Sequence, residues 1–562
     1  MERSLQIKYW ILASILVGFT SLFSQQKNVK YFQDLNDALK QADKVLALDL
    51  SGQDIHFLPD QIQEFKNLEY LKLSKCRKLN LDNTFIKLET LENLKQLDLS
   101  KSYFTEIPPS IKRLKKLEHL DLSHNQLMSI SKDLSTLKEL KSLNLKRNPH
   151  LNFEQIFGFL ANLPSLEALD LSYNYINKLT ESFYKLSKVK SLNLEGNNIY
   201  VIDEGVKNLQ NLRSLDLSYN RDLDLKISLE NLSNCHLKNL RICYLPEQNL
   251  CEEIGLLKDL EHLDMAGTHI KSIPNSIGDL NELKSIEIRF DKNKGDYFSL
   301  EKLPSSLGKL TQLNTLVISG TNIKSLPESF KNLRNLRVVE LSWNKLNTFP
   351  SFFRNLSKLE FLSLEKNKIS EIPNWIGELT ALEVLIINGD FINNSTNKIN
   401  KIPESIGLLE DLKVLHLNDN VITSIPESIS EIKSLEVLFI RNNLISELPK
   451  NISNLNKLRS LDLMANELQA LPKGIIELTS LKKLNLAFNP SLNFKIPLML
   501  LSKMTHLDCL DISRNHLEND QVQGLQKNLP DCKIIFSSLR EHLRSRPPQH
   551  IIKKLNEEKY SK

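Results

Sequence analysis

Leu117-Glu-His-Leu-Asp-Leu-Ser-His-Asn125-Gln-Leu127 is the stretch on which the reading of this chain turns. Its last two strand leucines, Leu120 and Leu122, alternate with polar residues at period two, the pattern of a short strand with one buried face. The spelling L-x-x-L-x-L-x-x-N-x-L returns at Leu359–Ile369 and at Leu458–Leu468. Taking the first leucine of each unit, the series begins Val45, Leu68, Leu94, Leu117 and Leu140, and ends Leu435, Leu458, Leu481 and Leu507. That makes twenty units, thirteen of whose nineteen spacings are 23 residues, the others being 25, 26 or 30. A strand this short has no stability alone, so each unit must bury its leucines against its neighbours in a solenoid.

Two further positions carry meaning. Asn125, Asn174, Asn344, Asn420 and Asn466 stand where the strand ends. Buried in a turn, such an amide can bond backbone groups of the next coil that would otherwise cost about 1–3 kcal/mol each. Twelve units have Asn there; the rest have Gln53, Cys76, Ser102, Leu245, Thr268, Asp291, Thr321 and Asp390. Leu245 puts the local geometry of 235–256 in question. Eleven units add a second signature, as in Leu58-Pro59-x-x-Ile62 and Ile372-Pro373-x-x-Ile376. The proline sets φ at the start of a convex segment where no amide donor is needed.

On these motifs the chain resembles the leucine-rich-repeat family, in its LPxxI or Ras-group type (Shoc-2-like) and in a bacterial exported form, over residues 45–536. The resemblance implies an α/β solenoid, a curved horseshoe with a parallel concave sheet, about twenty strands forming an arc on the order of 100 Å. It implies little about the ligand, because members of one fold bind different things.

The flanks divide the rest: signal peptide 1–24, N-terminal cap 25–44, solenoid 45–518, C-terminal cap 519–536 and basic tail 537–562. Arg3 and Lys8 precede an apolar run, Tyr9–Phe23, too short to span a bilayer comfortably, and Ser24 offers a small residue for cleavage. Export to periplasm, cell surface or medium is the expectation, with an uncleaved signal anchor as the alternative. Phe32, Leu35 and Leu39 fall on one face if 31–42 is helical, which would cap the stack. Val522 and Leu525 read as a final helix and 532–536 as a final strand.

The formal charge of +5 comes from the ends. Residues 1–24 contribute +1 and 540–562 contribute +4, so the body is neutral and poorly suited to nucleic acid. Six scattered cysteines form no Cys-x-x-Cys, so neither a disulfide framework nor a zinc site is supported; Cys509 and Cys532 could lie side by side. No H-E-x-x-H, G-x-S-x-G or phosphate-loop motif occurs, and no cofactor is expected. The chain reads as a binding protein, not an enzyme, monomeric, with a protein partner.

Along the strands, the residue between the last two leucines is often acidic in the N-terminal half, from Asp49, Asp98 and Asp121 to Asp264 and Glu287. This is also the ordinary spelling of such strands. Strands twelve to seventeen depart from it. Val338, Phe361, Val384, Val414 and Val437 precede their central leucines, and Ile386, His416 and Phe439 follow theirs. An apolar column is expected to lie exposed on the concave face, with Trp343 and Arg441 beside it and insertions near 289–300 and 389–397 flanking it. β-branched residues also simply suit strands. The partner is expected on this column. A surface polymer bound adhesively, or an intracellular scaffold role if the N-terminus is not a signal, are the alternatives.

Overall fold

A computed structural model describes residues 29–246, 250–268, 270–290, 300–390 and 396–537. The N-terminal signal, nearly all of the basic tail and the centres of the two insertions lie outside the described residues. Two compact units divide the chain, Met1–Ile288 and Arg289–Lys562.

Each repeat supplies one short strand to a parallel sheet. In the first unit eleven strands run from Ala47–Asp49 to Ser285–Arg289. In the second, ten run from Thr315–Ser319 to Lys533–Ile535. Register is strict: Leu48 faces Leu71, which faces Leu97, which faces Leu120, and so on from repeat to repeat. These central leucines are at most 2% exposed. Burying each contributes about 1.5–3 kcal/mol, enough in sum to hold strands of three residues in place.

The turn asparagines form a buried ladder. Asn125 Nδ2 donates to the carbonyls of Leu99 (3.0 Å) and Leu122 (2.9 Å), and its Oδ1 accepts from the Ser102 and Phe104 amides. The bonds therefore reach the preceding coil, not the following one as expected. Thr268 substitutes with a single bond, Oγ1 to the Ile242 carbonyl at 3.0 Å. Asp390 does not substitute. Asn397 takes the ladder position instead, donating to the Leu364 carbonyl at 2.8 Å and accepting from the Ile369 amide at 2.9 Å. Its repeat is seven residues longer than 23, and Asn397 stands seven residues beyond Asp390. Asp390 instead meets Lys366 at 3.2 Å. Leu245 is 1% exposed, and strand Asn239–Arg241 keeps register on both sides, so an apolar ladder residue is absorbed without distortion.

Repeat length decides the convex segment. Units of 23 residues close with a 3-10 turn, as at Asn275–Asp279 after Pro274 (φ −71°). The units of 25 or 26 residues fit an α-helix: Leu81–Leu88, Phe153–Leu160, Leu225–Leu232 and Lys495–Leu501. Two or three extra residues lengthen one tight turn into two wider ones.

The N-terminal cap differs from the expected helix. Phe32 is half-buried and adds a parallel bridge to Leu48, its amide donating to the Ala47 carbonyl at 3.1 Å, and only Leu35–Leu39 is helical. An unpaired sheet edge is a stronger demand than a helical apolar face. At the other end helix Asn519–Asn528 buries Leu525, and Lys533–Ile535 pairs with Cys509–Asp511. All six cysteines are free thiols, and burial raises the Cys532 pKa.

Candidate binding surfaces

In the second unit, Val338, Phe361, Val384, Val414 and Val437 pair with one another in register, strand after strand. The continuous column is there. Its exposure is not. Phe361 is 3% exposed, Val384 4%, Ile386 5%, Val414 2% and His416 8%; Val338, Val437 and Phe439 are half-buried. The expectation of an open apolar patch is corrected. Parallel strands stand about 4.8 Å apart, so identical branched side chains in one column touch and leave no gap for water.

What remains accessible is the margin. Phe439 stacks on His416, ring centroids 4.7 Å apart with planes 12° from parallel. Trp343 is half-buried with the Lys366 ammonium 3.8 Å above its ring. Arg441 lies 3.9 Å from Asp419. The insertions that were to flank the column have their centres, 291–299 and 391–395, outside the described residues.

The first unit presents a polar strand face, and its acidic ladder is interrupted. Lys72, Asn144, Asn193 and Arg241 alternate with the aspartates in register. Arg241 ties Asp216 (2.9 Å) to Asp264 (3.1 Å). Asp98 and Asp121 are direct neighbours. Burial first, then the Asp98 charge, pushes the Asp121 carboxyl up to about 6. Each aspartate also has a local task, since Asp121 Oδ1 accepts from the Ser123 amide at 2.8 Å, an Asx turn that closes the strand.

A second column escaped the sequence reading. Two residues after the last strand leucine of nearly every repeat, the backbone is left-handed: Lys75, Lys101, His124, Arg147, Tyr173, Gly196 and onward. Side chains there stack along the strand ends. Tyr219 stacks on Tyr244 (4.4 Å, 15°). Gly196, at φ +66°, leaves room for the Tyr173 ring, which would stand 2.5 Å from a Cβ. From the second to the fifth repeat the column is cationic and borders a cavity of about 500 Å³ lined by Lys75, Arg77, Lys101, His124, Arg147 and His150 among others. Reading this one position down the repeats would have found it.

Among the described residues no group of three or more His, Cys, Asp or Glu is placed to hold a metal, and no helix is long and apolar enough to cross a membrane.

Two family models match. One, described as a leucine-rich repeat region, covers 188–303 and 347–442; the other, leucine rich repeat, covers 92–149 and 158–199. No curated protein sequence matches. Solved structures similar to the chain include a plant peptide hormone receptor, RGFR1, with RGF2 (21% identity, 91% of this chain and 97% of that one, TM-score 0.52). The TLR13–ssRNA13 complex is another (24%, 90% and 83%, 0.53), as is the functional domain of InlJ from Listeria monocytogenes (20%, 66% and 73%, 0.51). At these identities the likeness establishes the fold.

Proposed function

Because the chain is a leucine-rich-repeat protein, we propose that it is an exported, non-catalytic binding module of the LPxxI type that acts as a monomer and holds a protein partner on the strand face of its second unit. The observation that carries this reading is the in-register column with its half-buried margin. Val338, Val437 and Phe439 keep partial access to solvent on a rigid floor, beside Trp343 and Arg441. Aromatic and arginine side chains on such a floor are what interface centres favour. Similar folds have been solved with a peptide hormone in one case and with single-stranded RNA in another, so the partner's class has to come from this chain's own surface. A body of zero net charge weighs against the phosphate backbone.

Export rests on the charged start, the apolar Tyr9–Phe23 and the small residue Ser24. Mass spectrometry of the mature chain is expected to place its start at Gln25, and an intact Met1 would overturn export by cleavage. For the face, the full chain and its Phe439→Ser, Arg441→Ala variant are compared as baits from periplasm or medium. A partner held by the first and lost by the second, at unchanged melting temperature, supports the reading. A partner held equally by both removes this face.

A further inference from the structure

Surface cations along the strands generally have a carboxylate one repeat away. Lys141 meets Glu118 at 2.5 Å, Lys190 meets Glu167 at 2.7 Å, Arg337 meets Glu360 at 2.7 Å and Lys413 meets Glu383 at 2.7 Å. The cavity at the strand ends of the second to fifth repeats breaks this habit. Lys75, Arg77, Lys101 and Arg147 line it, no Asp or Glu does, and none of the four forms an ion pair among the described residues. Four formal positive charges thus converge on one concavity of a body whose net charge is zero. Like charges at such spacing repel, and along the strands of the first unit Lys72, Asn144, Asn193 and Arg241 break most of the acidic series.

The arginines are also held in position. The Arg77 guanidinium lies 4.7 Å over the Tyr103 ring, and that of Arg147 lies 4.9 Å over Tyr173, where the Lys146 ammonium adds a second contact at 5.0 Å. A guanidinium resting on a ring face keeps its in-plane N–H donors available as a fork for an oxyanion. His124, between Lys101 and Arg147 in the column, has its pKa lowered by burial and then by Arg147, Lys101 and Lys146, which leaves it a neutral hydrogen-bonding group.

We propose that this cavity docks an acidic peptide segment of a protein partner, a run of Asp and Glu whose carboxylates lie along the Lys75–Lys101–His124–Arg147 column. The proposal rests on the reading of the chain as a protein-binding module and assigns a chemistry to a surface that reading does not use. A peptide is favoured over a glycan or a nucleic acid by the same rings. Sugars and bases stack on free aromatic faces, whereas Tyr173 carries both Arg147 and Lys146 on its ring and Tyr103, though half exposed, already holds the Arg77 guanidinium. A column with cations at Lys75, Lys101 and Arg147 and His124 between the last two, on strands about 4.8 Å apart, suits an extended chain bearing several carboxylates better than one compact anion.

The test uses the full chain and a fluorescein-labelled, twelve-residue alternating Glu/Asp peptide, read by anisotropy at low ionic strength. Saturable binding that weakens steeply with salt is expected, with none for a Gln/Ser peptide of the same length. The Arg77→Gln, Arg147→Gln double variant should lose at least tenfold in affinity with an unchanged melt. Lys101→Gln, a milder change, should lose less. Failure of the wild type to bind, survival of binding in the double variant, or tighter binding of a sulfated polysaccharide or single-stranded RNA overturns the proposal. The Phe439→Ser, Arg441→Ala variant should bind the peptide normally, so failure of one surface is distinguishable from failure of the other.

Discussion

In the first unit the residues before the central leucines run Gln96, His119, Ser142, Ala168 and Ser191; in the second, Val338, Phe361, Val384, Val414 and Val437. The leucines beneath them are equivalent. In the first column polar groups bond sideways, as His119 Nδ1 does with Ser142 Oγ at 2.7 Å, and small side chains such as Ser142 and Ala168 are as buried as the valines of the second. In the second the branched side chains seal one another. Strict register puts like beside like, so one choice per repeat is amplified down a whole column. An apolar choice closes the face. An acidic choice repeated in neighbouring strands, as at Asp98 and Asp121, carries repulsion, and Lys72, Asn144, Asn193 and Arg241 relieve it along most of the rest of the series.

The comparison can be broken most sharply at Phe361. Its replacement by Ser should cost about 2–4 kcal/mol, because the ring is buried among its column neighbours. Phe439→Ser, half-buried, should cost about 1 kcal/mol or less. Thermal melts check both, and equal losses would mean that the column is not sealed where Phe361 sits. Next in size is Asn397→Ala. It should cost about 1–3 kcal/mol, chiefly through the Ile369 amide left without its partner, while the carbonyls of Leu364 and Asn388 each lose one of two donors. Denaturant unfolding measures it, and a neutral result would return the ladder position to another residue.

Asp121→Asn tests the polar face from the opposite side. Its carboxyl pKa is raised from 3.8 to about 6, so the protonated form favours the fold. That contribution is complete below about pH 4 and is lost as pH rises through about 6, leaving the buried charge as a burden at neutrality. Asn keeps the Asx turn without the charge. The variant should therefore be more stable at pH 7, on the order of 1 kcal/mol, with the gain vanishing below pH 4. Melts across that range decide it, and a loss at pH 7 would show the carboxylate to be stabilising. The smallest expected effect is at the margin of the apolar face. Lys366→Ala removes the contact over Trp343 and the pair with Asp390, for about 1 kcal/mol or less.

Leucine spacing by itself determined the stacked repeats, their number and the in-register columns, because each repeat can bury its apolar residues only against the next. It also located the column from Val338 to Val437 and the final helix and strand. Solvent access lay beyond it. Whether Phe361 faces water depends on what stands 4.8 Å away on both sides, a distance between residues 23 or 30 positions apart. The seven-residue shift from Asp390 to Asn397 was decided the same way, by which amide reached the open carbonyl of the preceding coil. The bridging of Phe32 to Leu48, where a helical face was expected, came from the demand of an unpaired sheet edge. The cationic cavity was written in the chain at Lys75, Lys101, His124 and Arg147, at spacings of 26, 23 and 23. Only the tertiary structure, by lining the cavity with no Asp or Glu, gathered these residues into one cationic concavity.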